Sequence, residues 1–348
     1  HQYRPIFQKA FKGVATSFKT DTLPAIYEDL RIGKTDTQHQ LQRHISEYVN
    51  KHYLGEHFAL DDMHLNMSQT TEMLNFVFAY HFANQMGPFK TLVPGYKKSM
   101  ALSETVRNRI NNVLLKLHEA DIPQEDFGVL FAVFYEQIKR GNRTDLDAII
   151  GETAGMFIAL LDTIPTAMTG ILYVLSRLQQ HDPQFLERLD DVRTKNAVRQ
   201  MGTALFPPAL MMARKTTQLI DFAGTTINPS TDAIVSIFHV IRTYLINQGF
   251  VIDYGIQSID YPALYQQFID NPKAGNQAYM MAFGGNSKEH TIRSYCSGVQ
   301  AASRTLTMFL DEFPRDVKLI VQHAPTSPTS RQTFKWGEMS VKLQKNSP

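Results

Sequence analysis

The chain has 348 residues, 43% of them hydrophobic and 20% charged, the composition of an ordinary globular protein large enough for a substantial core. Its 35 Lys and Arg against 33 Asp and Glu leave a net charge of +2, and no basic stripe with interleaved aromatics occurs, which excludes a dedicated nucleic-acid surface. One cysteine excludes an internal disulfide framework and a Cys-based zinc site, and suits a reducing compartment. No uncharged run reaches the roughly 18 residues of a membrane span. His1 opens the chain with no signal peptide behind it, so a soluble, cytoplasmic protein is expected, an anchor upstream of His1 being left open.

Taken in order, the first hundred residues read as helices joined by polar turns. Leu41, Ile45, Val49 and Tyr53 recur at helical spacing, and Met73 to Met86 is strongly apolar and aromatic. Gly87-Pro88 and Pro94-Gly95 bracket a loop. A helix from Ser103 ends at Pro123, and Gln124 to Lys139 is another, stopped at Gly141-Asn142. Ala148 to Leu178, with Asp145 or Asp147 as cap, is the longest apolar segment and is hydrophobic nearly all round, the mark of a buried central helix. Within it, Pro165 removes the hydrogen bond to the Leu161 carbonyl and loosens the helix beside Asp162-Thr163.

A charged stretch runs from His181-Asp182-Pro183 to Arg199, and Leu205-Phe206-Pro207-Pro208 follows. Leu219 to Phe222 and Thr225 to Ile227, around Ala223-Gly224, predict a tight hairpin, and a helix is expected from about Thr231 to Asn247. Tyr254 to Tyr279 reads as loop-rich, without clear periodicity. Val317 to Gln322 and Met339 to Leu343 read as strands. The sum is one mainly α domain with small β-sheets, helix-rich over 1–200 and mixed α/β over 201–348.

Cys296 ends a glycine-rich polar loop, Phe283-Gly284-Gly285 through Tyr295-Cys296-Ser297-Gly298, and opens a helix-like run from Val299 to Phe313. The positive end of that helix favours a thiolate over a thiol. A thiolate held this way serves as nucleophile, redox sensor or iron ligand; the plain alternative is a buried, inert cysteine.

The order of these features resembles a cytochrome P-450, a haem-thiolate enzyme. Ala159-Leu-Leu-Asp162-Thr163 is similar to the acid-then-threonine pattern of the family's long helix over the distal face of the haem. The resemblance implies that Asp162 and Thr163 relay protons to the reacting oxygen, so that the O–O bond breaks heterolytically. Leu205-Phe206-Pro207-Pro208-Ala-Leu-Met-Met-Ala-Arg214 resembles the family's segment in which apolar residues line the substrate pocket and an arginine binds a haem propionate. That implies Arg214, with Lys215 as fallback, as a propionate clamp. It also places Leu210, Met211, Met212 and Ala159 against an apolar substrate. Cys296-Ser-Gly298-Val-Gln-Ala301 resembles the start of the proximal helix, and Phe283-Gly284-Gly285 the loop's opening. Cys296 is then the axial ligand of haem b, with backbone N–H groups of the loop and of Gly298 tuning the sulfur. His1-Gln-Tyr-Arg4 resembles the opening of a helix whose residues contact propionates, which implies a role for Arg4 and a chain lacking the N-terminal sheet lobe.

The sequence departs from the family in two places. The glutamate and arginine of the ExxR motif are replaced by Met201 and Ala204, so something else must brace the segment before the cysteine. Phe283 lies thirteen residues before Cys296, a longer loop than the family's, and Ser294 stands where a basic residue is usual, which leaves Arg293 or His290 as propionate partners. The resemblance implies a monooxygenase fed electrons by a ferredoxin or flavoprotein reductase, with Lys288 and Arg293 suited to an acidic partner. The lengthened loop is similar to those of haem-thiolate peroxygenases and rearranging enzymes, isomerases or dehydratases, that need no reductase. The missing ion pair also leaves open a non-catalytic haem-binding relative.

Overall fold

The computed structural model describes residues 18–33, 36–49, 51–52, 91, 96–97, 100–101, 104–105, 108, 112, 146–222, 224–253, 255–285, 296, 298–324, 336 and 338–346, with the backbone alone at 146–160, 211–215, 222, 232 and 234. The apolar run Met73–Met86 and the expected helices from Ser103 to Lys139 lie largely or wholly outside the described residues.

Helix α1 (Leu23–Ile32) follows a π turn, Phe18–Thr22, and carries Pro24 in its first turn, where the missing N–H would have had no partner anyway. Gly33 ends it in the left-handed region (φ 72°), donating its N–H to the Asp29 carbonyl at 3.1 Å. Helix α2 (Thr37–Val49) begins four residues earlier than the apolar spacing suggested. Its first turns bury Thr37, Gln38, Gln40 and Gln42, polar side chains that an apolar pattern does not register. Thr37 fixes the start of α2 against the C-terminal sheet: its N–H donates to the Met339 carbonyl at 2.9 Å, and its hydroxyl accepts from the Val341 N–H at 2.7 Å.

Helix α3 (Leu146–His181) is the expected central helix and runs unbroken through Pro165. Met168, Ile171, Leu172, Val174 and Leu175 are fully buried, so α3 is covered on every side over this stretch. The turns flanking the proline recruit hydroxyls: Thr166 Oγ1 donates to the Asp162 carbonyl at 2.7 Å, and Thr169 Oγ1 to the Pro165 carbonyl at 2.8 Å. A 3-10 turn, Phe185–Asp190, leads to helix α4 (Val192–Leu205), so the charged stretch before Arg199 is largely helical. Asp191 caps α4, accepting from the Thr194 N–H at 2.8 Å and the Thr194 hydroxyl at 2.9 Å.

Strand β1 (Met211–Lys215) comes next, and the hairpin falls where the sequence placed it, as β2 (Ile220–Phe222) and β3 (Thr225–Ile227) with Gly224 at φ 76°. The helix expected from Thr231 starts later. Asp232–Ser236 is strand β4, antiparallel to β1 from Met211↔Ser236 to Lys215↔Asp232, because Ile234 and Val235 meet a partner strand that local sequence does not reveal. Helix α5 (Ile237–Asn247) begins after Ser236, whose side chain caps it.

The segment read as loop-rich contains two helices, α6 (Tyr261–Asp270) and α7 (Pro272–Met281). Each opens with an Asx cap and a proline: Asp260 accepts from the Ala263 N–H at 3.0 Å, and Asn271 from the Ala274 N–H at 3.2 Å. Tyr261, Leu264, Tyr265 and Phe268 form the buried stripe of α6. Helix α8 (Val299–Asp311) lies where expected, and β5 (Val317–Gln322) pairs antiparallel with β6 (Ser340–Lys345). Among the described residues the sheets are all two-stranded. The core surrounds α3, with Trp336 fully buried at 4.7 Å from the Phe206 ring and 5.4 Å from that of Tyr173.

Candidate functional site

The cysteine segment is built from two chain ends that meet. After α7 the backbone turns at Gly284 (φ 101°) and Gly285 (φ 129°), conformations that need glycine. The Gly285 N–H folds back to the Met280 carbonyl at 3.3 Å. Thirteen residues beyond Phe283, the Cys296 N–H donates to the Phe283 carbonyl at 3.0 Å, and the Cys296 carbonyl accepts from Val299, the first residue of α8. Phe283, Cys296 and Gly298 are thus brought together. Cys296 is exposed, so the buried, inert reading of the lone cysteine does not hold. A Cβ placed on Gly298 would lie 3.7 Å from the sulfur, in ordinary contact.

Met201 and Ala204, at the positions of the absent ion pair, are both fully buried in the apolar core. Tyr279 of α7 is buried nearby, and burial raises its hydroxyl above the ordinary phenol pKa, so it remains a neutral hydrogen-bonding group.

Asp162 and Thr163 lie on the central helix opposite different surroundings. Asp162 is 1% exposed and its Oδ1 accepts from Gln42 Nε2 at 2.8 Å, whereas Thr163 is half-buried. One turn along each helix, Gln38 Nε2 donates to Thr166 Oγ1 at 2.7 Å, while Gln38 Oε1 accepts from the Trp336 N–H at 3.2 Å. Gln38 and Gln42, four apart on α2, therefore meet Asp162 and Thr166, four apart on α3, as two polar rungs between buried faces. Sequence reasoning missed both glutamines; their one signal was polar residues on a helix whose Leu41 and Ile45 are also buried. Gln42→Leu removes the rung to a buried carboxylate and is expected to cost about 2 kcal/mol, read from the midpoint of urea unfolding.

The remaining site residues fall into three groups. Leu210 is 5% exposed and sits in the main core, its carbonyl accepting from the Ile237 N–H at 2.8 Å. Met211, Met212 and Arg214 lie on β1, opposite Ser236, Val235 and Ala233, and Ala159 lies on α3, their backbones alone being described. Arg4, His290 and Arg293 lie outside the described residues. Among the described residues, no group of three or more His, Cys, Asp or Glu side chains could hold a metal ion, and no helix is long and apolar enough to cross a membrane.

The mainly helical architecture with small sheets is a cytochrome P-450-like fold. The solved structure of CYP109E1 from Bacillus megaterium in complex with testosterone superposes with a TM-score of 0.68, covering 99% of this chain and 80% of that one. The two sequences are 13% identical, so the likeness establishes the fold. No family model matches the chain, and no curated protein matches it.

Proposed function

We propose that this chain is a haem-thiolate oxidoreductase that inserts oxygen into an apolar small molecule, with haem b held by Cys296. The observation that carries the reading is the setting of that cysteine. Within a P-450-like fold, the one cysteine of the chain stands exposed at the start of α8, tied to α7 through the Phe283 carbonyl. The donor set fits the group. A porphyrin brings its own nitrogens and asks the protein for a single axial thiolate, and Cys296 offers an exposed sulfur just before α8. When bound, haem supplies oxygen activation, which thiolate donation favours.

The chain's own residues do the rest. The amide end of α8 favours the ionised sulfur of Cys296. Gln42 orients Asp162, and Thr163, the more exposed of the pair, carries the hydroxyl that hands on a proton. Arg214, with Lys215 as fallback, would hold a propionate together with Arg4 and either His290 or Arg293. Ala159, Leu210, Met211 and Met212 make an apolar wall. CYP109E1 was solved with testosterone, and an apolar ligand is the reading here too. A ferredoxin or flavoprotein reductase would supply electrons at the face bearing Cys296.

Reduced and treated with CO, the purified protein is expected to show the Soret band of a thiolate-ligated haem; a chain that takes up no haem sinks the reading. The lengthened loop favours a second reading, peroxide-driven turnover without a reductase. Peroxide and substrate alone, added to the pure protein, separate the two: robust product formation selects the second.

A further inference from the structure

Three helices meet behind the cysteine segment. Arg199 of α4 is half-buried, and its guanidinium donates from Nη1 to the Thr307 hydroxyl at 2.9 Å and to the Ser303 carbonyl at 3.4 Å, both on α8. From Nη2 it donates to Asn196 Oδ1 at 3.1 Å. The same guanidinium lies over the ring of Tyr279 on α7, 5.1 Å from its centroid. Tyr279 is 2% exposed, and its hydroxyl shares a 2.6 Å hydrogen bond with the Ser303 hydroxyl. The other side of the network reaches the cysteine: the Tyr279 ring packs at 5.0 Å against that of Phe283, whose carbonyl receives the Cys296 N–H.

We infer that Arg199 and Tyr279 are positioning residues that hold the Cys296 segment in place, Arg199 by clamping α8 and Tyr279 by seating Phe283. The chemistry favours such a role. Arg199 meets a hydroxyl, a carbonyl, an amide and a ring, neutral partners drawn from three helices, and a planar guanidinium is the side chain that satisfies several acceptors at fixed angles while stacking on an aromatic face. Tyr279 is the hinge of the arrangement, because it contacts Arg199, Ser303 and Phe283 at once. Without the Arg199 fork, α7 and α8 lose a shared anchor, and the bond between Phe283 and Cys296 spans the gap that then opens. Met201 and Ala204, next along α4, are apolar core and offer no such fork, whereas Arg199 does.

The functional meaning rests on Cys296 being the working group of the proposed site, whereas the test reads the network directly. Amide hydrogen exchange is followed at Cys296 and at Leu306, deep in α8, in the full chain. Arg199→Met is expected to speed exchange at Cys296 about tenfold relative to Leu306. Arg199→Lys, which keeps a cation over the ring, recovers part of the protection. Tyr279→Phe keeps the stack and loses only the Ser303 bond, for about a threefold effect. Equal acceleration at both amides shows general loosening and overturns the inference, as does unchanged exchange at Cys296. If Arg199→Met does not fold, Arg199→Lys and Tyr279→Phe decide by the same comparison. Failure of the haem reading shows separately, as absence of the thiolate-ligated band in the unmutated protein.

Discussion

Cys296→Ala is expected to abolish the thiolate-ligated Soret band completely while leaving unfolding within about 0.5 kcal/mol of the parent. The two halves follow from one geometry. The side chain is exposed, so removing the sulfur opens no buried cavity. The bond that fixes the segment uses the Cys296 backbone N–H, which alanine retains. A loss of the band in this variant is therefore a loss of the ligand, not of the fold. The chain has one cysteine, which adds a second measurement. A chromogenic thiol reagent should titrate one thiol per chain in the haem-free protein, none in Cys296→Ala, and a protected thiol once haem is bound. Retention of the band in Cys296→Ala would overturn the ligand assignment.

The parts of the fold that were legible in sequence are those whose signal is local. The central helix is apolar nearly all round, a signal strong enough to carry it through Pro165. The hairpin at Gly224 and the start of α8 after Gly298 are punctuated by glycines. At the candidate site, what the sequence marks is the glycines at 284 and 285, where the chain turns after α7, and Gly298, just before α8. What sequence hid depends on partners far along the chain. Strand β4 is held by β1, some twenty residues earlier, and its first residues look as suited to a helix as to a strand. Helices α6 and α7 each carry a proline in the first turn, Pro262 and Pro272, an opening signal that a search for apolar periodicity does not register. Gln42 finds Asp162 120 residues away, a pairing that neither residue announces. Arg199 was likewise read only as the end of a charged stretch, because its partners on α7 and α8 lie about 80 to 108 residues on.

Gly202→Ala is expected to destabilise the protein by about 1–2 kcal/mol, against the usual gain from replacing a helical glycine. In an exposed helix interior, alanine is favoured over glycine by about 1 kcal/mol. Here the added Cβ would lie 2.8 Å from Ile171 Cγ1, 3.0 Å from Ile171 Cα and 3.1 Å from Ile171 N. The first of these atoms belongs to a side chain that is itself fully buried, and the other two are backbone of α3, so no rotamer change clears them. The contact is mutual, since a Cβ on Gly170 would meet the Gly202 carbonyl at 3.0 Å and the Phe206 side chain at 3.2 Å. The two helices must then separate, and overpacking of this kind costs about 1–3 kcal/mol, toward the upper end where backbone sets the limit, which outweighs the propensity gain. A lowered urea midpoint with an unchanged slope is the expected reading. The displacement would also reach the candidate site. Arg199 stands one turn before Gly202 on α4, so moving α4 off α3 shifts the guanidinium relative to Thr307 and Tyr279. Faster exchange at the Cys296 amide in Gly202→Ala, beyond that at Leu306, is therefore expected as well, and it would tie the spacing of the two buried helices to the position of the cysteine.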